Sequence, residues 1–306
     1  MSDNYNYEWD PNHKFVVEAA IELGRPLLVR GEPGVGKSSL ARAAAIKYGR
    51  TLISEVVTAR TEPNDLMWQF DGVKRLSDAQ LKCSLDDNDK KCINLDKENY
   101  LSPGILWWAF QPEQAASMYE KCKGSCCPSL HYNKEQPVNA NGWVVLIDEI
   151  DKADSDVPNS MLEALAEGKF EVPYLDDPVA ISAGVPNPLI IITTNEEREL
   201  PKAFLRRCLV LQMAIPDEKK GGNPVKWLVD RAIAHKFSNT LPLDDIAKFV
   251  LKDREGFRGR YKPGLSEYLD FVSAFDLSNK SKNLTKDQAN DIFETISSFT
   301  LKKDAL

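Results

Sequence analysis

Apolar positions recur at helical spacing near the start of the chain, where Phe15, Val16, Ala19, Ala20 and Leu23 share one face and Gly24 supplies a stop. The next run, Pro26-Leu27-Leu28-Val29-Arg30, is short, apolar and bounded by turn residues, the pattern of a buried parallel strand. A glycine-rich turn follows at once. Alanines and Leu40 between Lys37 and Tyr48 favour helix, Gly49 closes it, and the β-branched stretch from Thr51 to Val57 predicts a second strand. The result is a βαβ unit. Trp143 to Ile147, Leu189 to Thr194 and Cys208 to Met213 predict three more strands, with a helix over 159–167 among their connections. Five short strands joined by helical crossovers predict an α/β fold built on an open, parallel five-stranded sheet.

Two regions break this rhythm. Residues from about 76 to 141 are polar, rich in Asp and Lys, and hold five of the six cysteines; so long a connection predicts an inserted subdomain. Beyond Pro216 no strong strand signal remains, whereas 225–235, 243–251, 265–275 and 286–299 all read as helices. Pro216 to Pro224, carrying Gly221-Gly222, has linker composition. The expected division is therefore an α/β domain over 1–215, with its insert, and a small all-α lid over 216–306. A length of 306 residues agrees with two units of roughly 150 each.

Composition narrows the function classes. Hydrophobic residues are 42% and charged residues 28%, which excludes a disordered chain, and no apolar run approaches the roughly 20 residues of a membrane span. Met1 to Asp10 is acidic and polar, so a cytoplasmic location is expected. In that reducing compartment the cysteines are expected as thiols or metal ligands. Thirty-nine basic against 46 acidic residues give a net charge of -7, which disfavours nucleic acid as a partner.

The glycine-rich turn reads Gly31-Glu32-Pro33-Gly34-Val35-Gly36-Lys37-Ser38, between a strand and a helix. Such a loop turns backbone amides and a helix N-terminus onto phosphate oxygens, so Glu32 through Ser39 are the expected nucleotide-binding residues. Lys37 adds a point charge near the β- and γ-phosphates, and the Ser38 hydroxyl is an expected Mg²⁺ ligand. Val144-Val145-Leu146-Ile147 ends in Asp148-Glu149, carboxylates at the edge where open sheets bind ligands. Asp148 is expected to hold Mg²⁺ and Glu149 to act as general base toward water. Leu189 to Thr194 runs into Asn195, a candidate to orient that water. Arg206-Arg207 precedes the last strand, where an arginine can neutralise a transferring phosphoryl group.

These motifs, in this order, resemble an AAA+ ATPase, most of all its MoxR-like branch. The resemblance covers roughly residues 13 to 215. Arg60-Thr61-Glu62-Pro63-Asn64-Asp65-Leu66, Asp148-Glu149-Ile150-Asp151-Lys152-Ala153-Asp154, and Asn195 to Pro201 leading into Ala203-Phe204-Leu205-Arg206-Arg207 carry it. It implies a P-loop NTPase core with ATP and Mg²⁺ as cofactors, Asn195 at the sensor 1 position, and Arg207, or else Arg206, as the finger acting on a neighbouring subunit. It further implies a ring, commonly a hexamer. A helical insert near 62–80 and a β-hairpin near 169–188 would face partners. The expected role is remodelling of a client protein, often one with a von Willebrand factor A domain. A nucleotide-gated scaffold with slow hydrolysis and a nucleic-acid motor are the alternatives.

Two features depart from that pattern. The cysteine-bearing segment from 83 to 141 exceeds what the family needs; Cys83, Cys92, Cys122, Cys126, Cys127 and His131 could form a Zn²⁺ site, but the spacing is not a standard one and reduced, solvent-facing thiols explain the same residues without a metal. The lid offers Lys262, with Arg258 and Arg260 nearby, where the family often has a sensor 2 arginine. Trp107, Trp108 and Phe110 are expected to pack the insert onto the core rather than to stack bases.

Overall fold

The computed structural model describes residues 7–84, 93–122, 141–182, 184–238, 241–256 and 262–282. They form two compact units: Lys14–Val29 with Ala44–Leu211, and Met1–His13 with Arg30–Ala43 and Gln212–Leu306.

The first unit is built on the parallel five-stranded sheet. Strands β1 (Leu27–Arg30), β2 (Thr51–Val56), β5 (Trp143–Asp148), β8 (Leu189–Thr194) and β9 (Leu209–Gln212) lie in the order β2-β5-β8-β1-β9. Thr51 to Val56 pair residue for residue with Trp143 to Asp148, and Val144 to Ile147 with Leu189 to Ile192. The interior strand β5 is buried from Trp143 to Ile147, which explains its unbroken apolar sequence: both faces are covered, so no position alternates to polar. α1 (Pro11–Leu23) precedes the sheet, and α6 (Asp156–Glu167) follows β5.

Between β2 and β5 the chain forms β3 (Trp68–Phe70), α3 (Gly72–Ser84), β4 (Leu101–Pro103), α4 (Ile105–Phe110) and α5 (Pro112–Cys122). β3 and β4 pair antiparallel, so residue 68, ahead of the expected insert, lies opposite residue 103 within it. Every residue of α4 is buried. Trp107, Trp108 and Phe110 join Ile53, Val145 and Ile192 in one core, which is the packing role the sequence suggested. The Trp107 indole donates to Gln114 Oε1 at 2.8 Å, giving its buried N–H a partner. A short hairpin, β6 (Lys169–Phe170) with β7 (Val179–Ala180), falls within the expected 169–188. α7 (Lys202–Arg207) leads into β9.

The second unit contains the loop after β1, the first turns of α2 (Lys37–Lys47), and three helices: α8 (Pro224–Ala234), α9 (Leu243–Gly256) and α10 (Leu265–Lys282). Leu228, Ile246, Tyr268, Phe271 and Val272 form its core. Two of the three starts carry a side-chain cap. Asn223 accepts from the Lys226 amide ahead of α8, with Pro224 at the first helical position, and Glu267 accepts from the Gly264 amide ahead of α10. The helix expected over 286–299, and Cys92, Cys126, Cys127 and His131, lie outside the described residues. Among those described, Cys83 is exposed, Cys122 and Cys208 are buried, and no group of acids, cysteines and histidines could hold a metal. No described helix is long and apolar enough to cross a membrane.

Glu55 sits on β2 between Ile53 and Val57, on the face those two residues bury. Its Oε2 has no hydrogen-bond partner, and burial, helped by the charge of Asp65, pushes its pKa up to about 7. Unfolded, the group ionises near its ordinary 4.5. Between these values the unfolded chain releases the proton that the folded chain keeps, so stability falls as pH rises through the window, by roughly 3 kcal/mol at most. Glu55→Gln is expected to remove that slope: the parent and the variant should have similar urea midpoints below pH 4.5, and the variant should be the more stable at pH 8.

Candidate functional site

Gly31, Gly34 and Gly36 all have positive φ. At Gly31 a Cβ would stand 2.1 Å from the Met213 carbonyl oxygen, so the close approach of the two backbones requires glycine. Gly34, at φ +76°, is equally restricted, and a Cβ there would meet Ser266 Oγ at 2.8 Å. The loop thus reverses tightly and delivers Lys37 as the first residue of α2, with its N-terminal amides facing the turn. Lys37 is 7% exposed, and its ammonium donates to the carbonyl oxygens of Gly31 and Glu32 at 2.7 and 2.8 Å. A buried positive charge held on neutral carbonyls beside a helix N-terminus is a seat for an anion. Glu32 and Pro33 are exposed, Val35 is buried, and Ser38 and Ser39 are half-buried.

The C-terminal helices touch this loop directly. Ser266 donates its amide to Gly34 O at 3.2 Å and its hydroxyl to the same oxygen at 3.3 Å. Arg254, on α9, pairs with the Glu32 carboxylate and donates to Pro263 O at 2.9 Å. Of the three cations considered for the lid, Lys262 is exposed, and Arg258 and Arg260 lie outside the described residues. Among the described residues, Arg254 is the arginine of the C-terminal helices that meets the glycine loop. Nothing in the sequence distinguished it, because its partner lies 222 residues away.

In the sheet unit, Asp148 ends β5 and Glu149 follows it. The Thr193 hydroxyl, buried on β8, donates to Asp148 Oδ1 and accepts the Glu149 amide at 2.9 Å. Glu149 has left-handed backbone, φ 60° and ψ 47°, so the chain turns sharply away from the strand. Its side chain becomes half-buried there. Oε1 accepts from Asn195 Nδ2 at 3.3 Å, and Oε2 forms an ion pair with Lys152 at 2.5 Å. That hydrogen bond raises the pKa of the Lys152 ammonium. Asn195 is thus brought to Glu149, and Lys152, to which the sequence analysis gave no role, meets the same carboxylate.

Asp151 is 2% exposed. Its Oδ1 accepts the Asn195 amide at 3.4 Å and Oδ2 accepts the Glu197 amide at 2.9 Å, so a buried carboxylate fixes the turn that presents Asn195. Glu196, between them, is held at φ 61°. Arg206 and Arg207 end α7 and are exposed. Arg25 clamps that end from below: its guanidinium donates to the carbonyls of Arg206 at 2.7 Å, Arg207 at 3.1 Å and Cys208 at 3.2 Å. A cation on the last carbonyls of a helix offsets both their unmet acceptors and the negative end of the dipole.

The Thr193 hydroxyl is the most exacting of these contacts, since one atom serves two partners in a fully buried position. Thr193→Val keeps the volume and deletes the hydroxyl, leaving an amide and a carboxylate oxygen short of a partner. A loss of about 1–3 kcal/mol is expected in urea denaturation, with Thr193→Ser retaining most of the parent's stability.

No curated protein matches this chain. Among solved structures it is similar to a mutant form of RuvB from Thermotoga maritima, 14% identical over 92% of this chain and 67% of that one, with a TM-score of 0.46. It is similar also to the RuvB Holliday junction branch migration motor of the same organism, 13% identical over 94% and 67%, with a TM-score of 0.44. The family model described as AAA domain (dynein-related subfamily) matches residues 26–208, which run from the strand before the glycine loop to the end of α7. With well over half of its length matched and its P-loop and parallel sheet as described, the chain belongs to the AAA domain family, dynein-related subfamily.

Proposed function

We propose that the protein is an ATPase of the MoxR-like branch, which binds ATP with Mg²⁺ and uses hydrolysis to remodel or activate a client protein. The observation that carries the reading is the Lys37 ammonium, buried and held on loop carbonyls beside the N-terminus of α2. That chemistry fits the β- and γ-phosphates: amides of residues 34 to 39 donate, and Lys37 supplies the opposing charge. Ser38 and Asp148 are hard oxygen donors suited to Mg²⁺, which when bound neutralises charge on the phosphates. Thr193 supports this assignment by fixing one oxygen of Asp148.

Glu149 accepts a proton from the attacking water, and Asn195, within hydrogen-bonding distance of Glu149, orients it. Lys152 competes for the same carboxylate, so Glu149 is free to act once that ion pair loosens. Arg207, or else Arg206, is exposed on a helix end secured by Arg25, which suits a group that must reach the nucleotide of a neighbouring subunit. Such an arrangement calls for a homo-oligomeric ring, a hexamer in the related branch. Arg254 and Ser266 tie the lid to the phosphate loop, a route by which cleavage could alter lid position. A client carrying a von Willebrand factor A domain is the partner this reading favours.

ATP with Mg²⁺ is expected to raise the melting temperature of the parent and of Glu149→Gln, but not of Lys37→Ala. Glu149→Gln should hydrolyse roughly 100-fold or more slowly while still binding. A parent that gains no stability from ATP would refute nucleotide binding. Turnover in the parent that no client accelerates would favour a scaffold timed by slow hydrolysis.

A further inference from the structure

A cleft of about 430 Å³ opens between β3 and the loop joining β6 to β7, within the sheet unit and among none of the residues assigned to nucleotide chemistry. Its size lies in the range of pockets that enclose a ligand or a peptide side chain. Asn64, Trp68 and Tyr174 supply part of the wall, and Glu171, Asp176 and Asp177 supply three carboxylates. No lysine, arginine or histidine lines it, and none of the three acids is in an ion pair among the described residues. The cleft therefore presents three carboxylates beside two aromatic rings, with the Lys169 ammonium near enough to feel the charge of Glu171 alone among them.

The walls are set before any ligand arrives. Trp68 is held in the β3–β4 ladder, Val172 is buried in the main core, and Leu175 packs against it. Tyr174, between them, is held at φ 78° and remains 48% exposed, an arrangement a bulky residue seldom adopts. Its ring rests 5.2 Å from that of Phe70. Lys97, which does not line the cleft, places its ammonium 4.1 Å from the Tyr174 centroid, so this ring already attracts a cation within the chain itself.

Two ligand classes fail on this chemistry. A phosphate backbone is repelled by three carboxylates. A metal ion needs converging ligands, and among the described residues no three acids, cysteines or histidines converge closely enough to hold one. The acids instead line a wall alongside aromatic faces, which suits a charge that is extended, planar and carried on a hydrocarbon stem. Guanidinium meets all three conditions: it stacks on rings, donates in a fork to carboxylates, and loses less hydration than an ammonium.

We propose that this cleft binds an arginine side chain presented by an extended segment of a partner protein. Trp68 and Tyr174 stack on the guanidinium and its stem, and Glu171, Asp176 and Asp177 accept its N–H groups. The inference goes beyond the ATPase reading, because this binding needs no nucleotide. It can fail while ATP binding stands, and the reverse.

The probe is the blocked tripeptide acetyl-Gly-Arg-Gly-amide, titrated without nucleotide while the Trp68 indole N–H is followed by NMR, its resonance assigned through Trp68→Phe. Saturable movement of that resonance is expected, with affinity about tenfold lower for the neutral citrulline analogue of the same shape. The triple variant Glu171→Gln, Asp176→Asn, Asp177→Asn should weaken arginine binding by about the same factor. Equal binding of the citrulline peptide would overturn the proposal, as would a triple variant of undiminished affinity or shifts that spare Trp68. The citrulline comparison uses the unaltered chain, so the test holds even if the triple variant does not fold.

Discussion

The chemistry at the sheet edge depends on one buried hydroxyl. A strand covered on both faces, as β5 is, must be apolar throughout, yet it has to end in acids that remain accessible. Thr193 resolves that conflict. From the adjoining strand it receives the Glu149 amide, left without a ladder partner as the chain turns, and it donates to Asp148. The same atom thereby closes the ladder, permits left-handed backbone at Glu149 and fixes the direction of Asp148. Asp151 performs the complementary task one turn later by accepting the amides on which Asn195 depends. Two strand ends are so cross-linked that neither can shift without stranding a buried polar group of the other.

The sheet was legible in the sequence because burial on both faces leaves a plain mark. Trp143 to Ile147 and Leu189 to Ile192 are apolar runs that few other structures explain, and the observed strand limits differ from the expected ones by a residue or none. The glycine loop was legible for a different reason: its positive φ values and its near contact with Met213 O tolerate almost no other residue, so the constraint is written in the residue type. The hairpin over 169–188 was less so. Its strands are two residues each, too short for any alternation to register, and the family resemblance alone suggested it.

Much of the positioning machinery was not legible, and the reason is physical. Arg25 acts on carbonyl oxygens of residues 206 to 208, Lys37 on those of 31 and 32, and Asp151 on amides of 195 and 197. Every residue has such backbone groups, so the partner's identity leaves no trace in sequence. Arg254 and Glu32 are both ordinary surface types, and only the fold reveals that they meet. Asp151 lay inside a recognised motif, but the pattern could not tell a buried clamp from a solvated acid.

A preference for backbone partners also follows from what the site has to do. A side-chain partner carries its own rotamers, and holding it costs conformational entropy; a carbonyl at a helix end or in a glycine turn is already fixed by the fold. Arg25 and Asp151 use such groups, and the segments they hold, α7 and the turn at Asn195, are those expected to stay rigid. Glu149, by contrast, is met by two side chains, Asn195 and Lys152. The ion pair with Lys152 is half-exposed, and contacts of that kind contribute little and break readily. The carboxylate expected to move a proton is therefore the one held least firmly, between supports held far more firmly.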